Sequence, residues 1–395
     1  MGKKCECVEK HVISKLPYTI TKPGHYCLGK SFTWSDNTQS AITILNTNNV
    51  VLSFNQRKIT TTLSSTFAVV QVVGSTDVKL NDVDLESTAN PSRGLEILAN
   101  SSNIKISKPI LTNFSTNLAI YNSSTIVIEC PIIKNVVPAS FGVDVLMTND
   151  VTIKNGHVVN SRIRFSGPGE RVYMEGTFID NSAGSGTAGR AFQTFDYDIV
   201  HVYKNHLKGR ADTLVLSGPF PGFVTFADAS TSFIVEDNII ESFNGGMVIQ
   251  LANGYTIRNN QITLLQDGPF VTGIVVFTSL HGLIDNNNVS GVFEPLTTSQ
   301  GISIFKGSFV TPTSHYNTVK NNFVSGFGVG YADHFHGTDN AKCTTFAYNV
   351  GTGNLVNFGL IDPSTIDVNN ISGCEAIPQI QAQSVQIVEK KIVEP

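Results

Sequence analysis

Charge is what this chain of 395 residues has least of: Asp, Glu, Lys and Arg together make up 15% of it. With 27 basic against 31 acidic side chains, and a formal net charge of −4, it has no cationic surplus to hold a phosphate backbone, which excludes nucleic acid as a general partner. Cysteine occurs six times, at 5, 7, 27, 130, 343 and 374, too few and too dispersed for a disulfide framework in a chain this long. Cys5-Glu6-Cys7 is half of a zinc-type ligand set, but only His11 and His25 stand nearby to complete it. Its ordinary readings are a pair of reducible thiols or a bridge to Cys27, while Cys343 and Cys374 would pair in an oxidising compartment. No run approaches the roughly 18 apolar residues of a membrane span. The start, MGKKCECVEK, lacks the apolar core of a signal peptide, and Glu6 stands where a myristoylation pattern wants Ser or Thr. Leu-rich runs of helical period are scarce, which argues against a helical array.

What the chain has is a short stretch that it keeps rewriting. Val319-Lys320-Asn321-Asn322-Phe323-Val324 recurs, aligned on its second Asn, as VYKNHL at 202–207, VEDNII at 235–240, IRNNQI at 257–262, IDNNNV at 284–289 and FAYNVG at 346–351. Copies without that Asn stand upstream, as LNDVDL at 80–85, ISKPIL at 106–111, IECPII at 128–133 and IKNGHV at 153–158. The Asn positions 205, 238, 260, 287, 322 and 349 are separated by 33, 22, 27, 35 and 27 residues. An irregular period of that size marks a solenoid whose loops vary in length while its core does not.

Strand spacing decides which solenoid. Segments leading into the turn, such as Asp77-Val78-Lys79-Leu80 and Asn103-Ile104-Lys105-Ile106, alternate apolar with polar residues and are rich in Val, Ile and Thr. A second strand family opens with Gly, at Gly94, Gly142, Gly246, Gly273 and Gly301. With a short third strand after the turn, each repeat becomes a three-sided coil. The Asn at the turn tolerates left-handed backbone, and copies one coil apart can bond one another in a ladder at the roughly 4.8 Å strand spacing.

On these repeats the chain resembles the right-handed parallel β-helix superfamily of pectate lyases, polygalacturonases and phage tailspikes, over residues 40 to 370. The resemblance implies an all-β fold: a right-handed single-stranded parallel β-helix of roughly 11–12 coils. Residues 1–40 are expected to form an N-terminal cap, with Tyr18, Ile20, Tyr26, Leu28 and Trp34 as core contacts, and residues 41–374 the β-helix itself. A cap is needed because an uncovered first coil exposes strand edges and core. Residues 375–395 lose Gly and Asn and read as a tail or an oligomerisation arm.

Candidate sites fall in three places. Glu96 and Asp144 lie outward on Gly-led strands two coils apart, about 10 Å by strand spacing, and read most simply as solvated surface carboxylates. In the long-looped middle, 161–232, lie five of the eight Arg. Arg162, Arg164, Arg190 and Arg210 there are candidates to hold an anionic glycan, because guanidinium groups grip carboxylates bidentately; loop salt bridges are the plain alternative. Asp196, Asp198 and Asp212 are the acids that a polysaccharide hydrolase or lyase would use there. The third place is Ala332-Asp333-His334-Phe335-His336-Gly337, where His334 and His336 share a face if extended and are metal ligands in type, or else simply form a turn. Only Leu280-His281-Gly282 and Phe335-His336-Gly337 resemble the Gly-His-Gly of polygalacturonases, without paired Asp upstream, and the Arg-x-Pro-x-x-Arg run of pectate lyases is absent. No cofactor is expected. The preferred expectation is a structural or adhesive rod on a cell surface or virion that binds glycan and assembles with itself, as a trimer in the tailspike manner. The alternative is an enzyme acting on anionic polysaccharide.

Overall fold

The computed structural model describes residues 11–89, 93–136, 140–184, 189–210, 212–217, 232–243, 245–265, 271–292, 298–305, 315–334, 343–360 and 362–372. The expected all-β parallel solenoid is what the chain forms: the described residues contain no α-helix, and every strand pairing is parallel. No helix among them is long and apolar enough to cross a membrane. The chain divides into two compact units, Met1–Gly184 and Ser185–Pro395.

In the first unit each coil contributes one strand to each of three faces. The first face holds Ile42–Leu45, Val70–Val73, Arg93–Leu98, Thr116–Tyr121, Ser140–Leu146 and the start of Ser161–Glu175. The second holds Asn48–Ser53, Thr76–Asn81, Ser102–Ser107, Ser124–Glu129 and Asp150–Lys154. The third holds Phe32–Trp34, Ile59–Thr61, Asp84–Ser87, Ile110–Thr112, Ile132–Lys134, His157–Val159 and Phe178–Asp180. Register stacks like upon like, so one inward row reads Ile44, Val72, Ile97, Ile120, Val145, Phe165, all fully buried. Burial of each such side chain contributes about 1.5–3 kcal/mol, and that row runs through every coil. Residues 11–34 already carry strands in this register, with Ile20, Tyr26, Leu28 and Trp34 buried and Tyr18 half-buried.

The second unit repeats the plan. Its first-face strands include Asp212–Ser217, Gly245–Gln250, Thr272–Phe277, Gln300–Phe305 and Val329–Ala332. A Cβ on Gly273 would lie 2.5 Å from the carbonyl oxygen of Gly301 and 2.3 Å from Val289, so the coils meet too closely there for any side chain, which explains the Gly-led strands.

The Asn ladder is present in the second unit. The amide nitrogen of Asn238 donates to Asn260 Oδ1 at 2.9 Å, Asn260 to Asn287 at 2.9 Å, Asn287 to Asn322 at 2.9 Å and Asn322 to Asn349 at 3.0 Å. Asn205 joins at one end and Asn370 at the other. One detail differs from expectation. The left-handed residue is the one before each rung: Asp237, Asn259, Asn286, Asn321 and Tyr348 have φ of 57°, 55°, 54°, 54° and 54°. That step turns the following Asn inward, where its amide can reach the coils on both sides. In the first unit the same step, at Asp82, Lys108, Cys130 and Asn155, is followed by Val83, Pro109, Pro131 and Gly156, so the ladder has no rung there.

Candidate functional site

On the second and third faces of the first unit the outward residues are solvated, but on part of its first face they are not. Glu96, Ala119 and Asp144 follow one another outward in register, and Glu96 and Asp144 are only 2% and 5% exposed. The expectation of solvated surface carboxylates is therefore corrected. Both acids are enclosed by partners that the sequence reading did not connect to them. Glu96 receives the Gln71 amide at 2.7 Å and pairs with the Arg93 guanidinium. Asp144 is held by Arg164 through Nε at 2.8 Å and Nη2 at 3.1 Å, a bidentate grip, and accepts the Tyr121 hydroxyl at 3.1 Å.

Aromatic rings set the pose of these cations. The Arg93 guanidinium lies 5.4 Å from the Tyr121 ring centroid. Those of Arg162 and Arg164 lie 4.2 Å and 4.0 Å from that of Phe141. A register shift between Phe141 and Val143 brings this about: Phe141 comes opposite Arg162 while Asp144 stays opposite Arg164, so ring and guanidinium groups share the outer face. Burial, and next the Asp144 carboxylate, push the Tyr121 phenol up to about 12, so it stays a proton donor at physiological pH.

Arg93 is paired with Glu96 and Arg164 with Asp144, and the Arg162 guanidinium lies beside them over the Phe141 ring. Arg93 and Arg164 keep about a third of their side-chain surface in water. A guanidinium flattened on a ring and tethered to a buried acid is pre-organised, and its outer N–H edge suits a carboxylate or sulfate group. Of the expected glycan-binding set, Arg162 and Arg164 come together here. Arg93, Tyr121 and Phe141 join them; the legible signal was the recurrence of Glu96 and Asp144 two residues after Gly94 and Gly142, which sequence alone could not link to rings on neighbouring coils.

Arg190 and Arg210 belong to the second unit, at the entry to adjacent first-face strands, where the Arg210 amide donates to the Gly189 carbonyl at 2.8 Å. The Arg210 guanidinium lies 5.9 Å from the Phe243 ring. The three candidate acids do not converge. Phe192 pairs with Leu214 and Phe195 with Ser217, so Asp212 and Asp196 stand at opposite ends of that pairing, roughly 20 Å apart along the strand direction. Asp198 is exposed beyond the turn at Asp196, whose φ is 58°.

At the third place, Asp333 and His334 are buried. Asp333 Oδ2 accepts from the Asp362 amide at 2.9 Å and the Thr365 hydroxyl at 2.7 Å, and Oδ1 lies 3.2 Å from His334 Nδ1. His336 lies outside the described residues, and among those described no three His, Cys, Asp or Glu side chains are grouped to hold a metal. Cys27 is buried, Cys130 half-buried and Cys343 exposed, whereas Cys5, Cys7 and Cys374 lie outside the described residues.

A family model described as "Right handed beta helix region" matches residues 220–346. No curated protein sequence matches the chain. Among solved structures, the A-module of mannuronan C-5 epimerase AlgE6 from Azotobacter vinelandii aligns with a TM-score of 0.56 at 11% identity, covering 89% of this chain and 91% of that one. The Siphovirus 9NA tailspike receptor binding domain aligns at 0.42 with 9% identity, over 93% and 75% of the two chains. DFA-IIIase from Arthrobacter chlorophenolicus A6 aligns at 0.38 with 11% identity, over 91% and 89%. At such identities the likeness is one of fold.

Proposed function

We propose that this chain, a right-handed parallel β-helix, is a glycan-binding protein of the structural or adhesive kind, displayed on a cell surface or virion, and that it takes an anionic polysaccharide on the first face of its first unit. The observation that supports this most is the grouping of three guanidinium groups, those of Arg93, Arg162 and Arg164, against the Tyr121 and Phe141 rings beside two buried carboxylates. The rings offer area to the apolar side of a sugar while the guanidinium edges offer paired donors to its carboxylate. An enzymatic reading has less support. Each carboxylate of the cluster is already matched to a guanidinium, and Asp196 and Asp212 lie too far apart to work on one bond.

The test is equilibrium binding to polygalacturonate, polymannuronate and neutral dextran. The polyuronates are expected to bind and dextran not, with affinity falling as salt rises. The Arg162→Gln/Arg164→Gln double variant is expected to bind roughly tenfold to a hundredfold more weakly, because two charged contacts are lost. Equal binding of dextran and polyuronates, or no loss in the double variant, would sink the proposal.

A further inference from the structure

The second unit carries a row of four consecutive coils whose chain turns through the left-handed region at one register position. Gly254, His281, Tyr316 and Cys343 occupy it, with φ of 87°, 52°, 55° and 50°. Left-handed backbone suits Gly, Asn and Asp, and a bulky ring there is an outlier. Tyr316 nevertheless sits there 61% exposed, with no core to fill. Its ring stacks on the imidazole of His281, centroid to centroid 5.5 Å and 10° from parallel, and His315 lies against it at 5.7 Å. The left-handed turn is shared by the row, and what sets Tyr316 apart is an exposed ring stacked on an imidazole.

One rung beyond His281 the stack stops at a residue with no side chain. A Cβ on Gly254 would meet no atom within 4 Å among the described residues. Among the described residues, the face of the imidazole turned away from Tyr316 thus borders an empty position at Gly254, one coil spacing, roughly 4.8 Å, away. The exposed Asn253 edges this position, its Oδ1 3.3 Å from His281 Nδ1. The floor is fixed from inside: a Cβ on Gly282 would fall within the Tyr255 ring, and the Tyr255 hydroxyl and Gly282 amide both donate to Asn317 Oδ1, at 2.9 Å and 3.0 Å.

We infer that Tyr316, His281 and the open position at Gly254 form a stacking site for a neutral pyranose ring, distinct from the cationic cluster of the first unit and independent of its proposed role. The position has an aromatic wall for the apolar C–H face of a sugar, and Asn253 supplies an uncharged donor and acceptor for the hydroxyl rim. The side chains that form it, Asn253, His281 and Tyr316, include no carboxylate, Lys or Arg, so it offers nothing specific to a uronate.

The experiment is NMR titration of the full chain, following the imidazole signals of His281, with maltohexaose, cellohexaose and mannohexaose, and with adenosine and indole as planar aromatic competitors. At least one hexaose is expected to saturate and shift those signals. Gly254→Asn, an exchange that left-handed backbone tolerates, should fill the position and weaken binding by about threefold to tenfold. Tyr316→Asn should weaken binding similarly while leaving the melting temperature unchanged or raised, because it removes strain. Tyr348→Asn removes a ring of the same backbone class, 57% exposed and φ 54°, and should leave binding alone. No saturation by any hexaose, binding only of adenosine or indole, or binding indifferent to both Gly254→Asn and Tyr316→Asn would overturn the inference; a Tyr316→Asn variant that loses stability would assign that residue a packing role instead.

Discussion

Tyr121 holds its phenolic proton against burial and against Asp144, and stability should show it. The group's pKa is pushed from 10.0 up to about 12, so the folded chain keeps a proton that the unfolded chain has released over that window. Its contribution is therefore intact below about pH 10 and is lost as pH rises from there towards 12. The side chain is half-buried, and solvent screening reduces the effect to roughly 1 kcal/mol. Chemical denaturation near pH 9 and near pH 11 should show Tyr121→Phe losing less stability between the two than the parent chain does; equal losses would mean that the phenol is not enclosed in the folded state. At this scale the sequence was least legible. Glu96 and Asp144 are visible as outward positions on Gly-led strands, but their burial depends on Arg93, Tyr121 and Phe141, which reach them from the same or a neighbouring coil, and on a register shift at Gly142 that no local pattern announces.

At the scale of the element, the Asn ladder is the clearest case of sequence spacing turned into structure. Asn260 is representative: its amide donates to the Val235 and Arg258 carbonyls at 2.9 and 3.0 Å and to Asn287 Oδ1 at 2.9 Å, and its Oδ1 accepts from the Asn238 backbone amide at 3.0 Å. Alanine there strands several buried groups at once and should cost about 3 kcal/mol or more, against about 1 kcal/mol for Asn370→Ala at the half-buried end rung. Thermal or denaturant unfolding of the two variants reads the difference, and equal small losses would mean that the rungs bond water as readily as one another. Five of the rungs after Asn205 repeat the flanking apolar pair or a worn form of it, whereas Asn370 has Asp367 and Ser372 at the flanking positions and was hidden for that reason. The first unit hides a stack of another kind, Ser75, Ser101, Ser123 and Thr148, all buried at its first-to-second-face turn. Hydroxyl residues are too common in this chain for spacing alone to reveal them.

At the scale of the whole molecule, period and strand chemistry settle the fold class because a parallel solenoid repeats one local solution along its length. Function is not repeated in that way. Both proposed sites lie at departures from the repeat: Ala119 between two acids, a shifted strand, a ring stacked on an exposed imidazole. The C-terminal stretch 375–395, expected to be a tail or an oligomerisation arm, lies outside the described residues. Polyuronate is proposed to lie on the Arg and aromatic cluster of the first unit. Modification of arginine by phenylglyoxal, read residue by residue by mass spectrometry with and without polygalacturonate, tests it most directly. Polygalacturonate is expected to protect Arg93, Arg162 and Arg164 and leave Arg258 of the second unit unchanged; protection spread equally over all of them, or none at the first-unit cluster, would rule that binding site out.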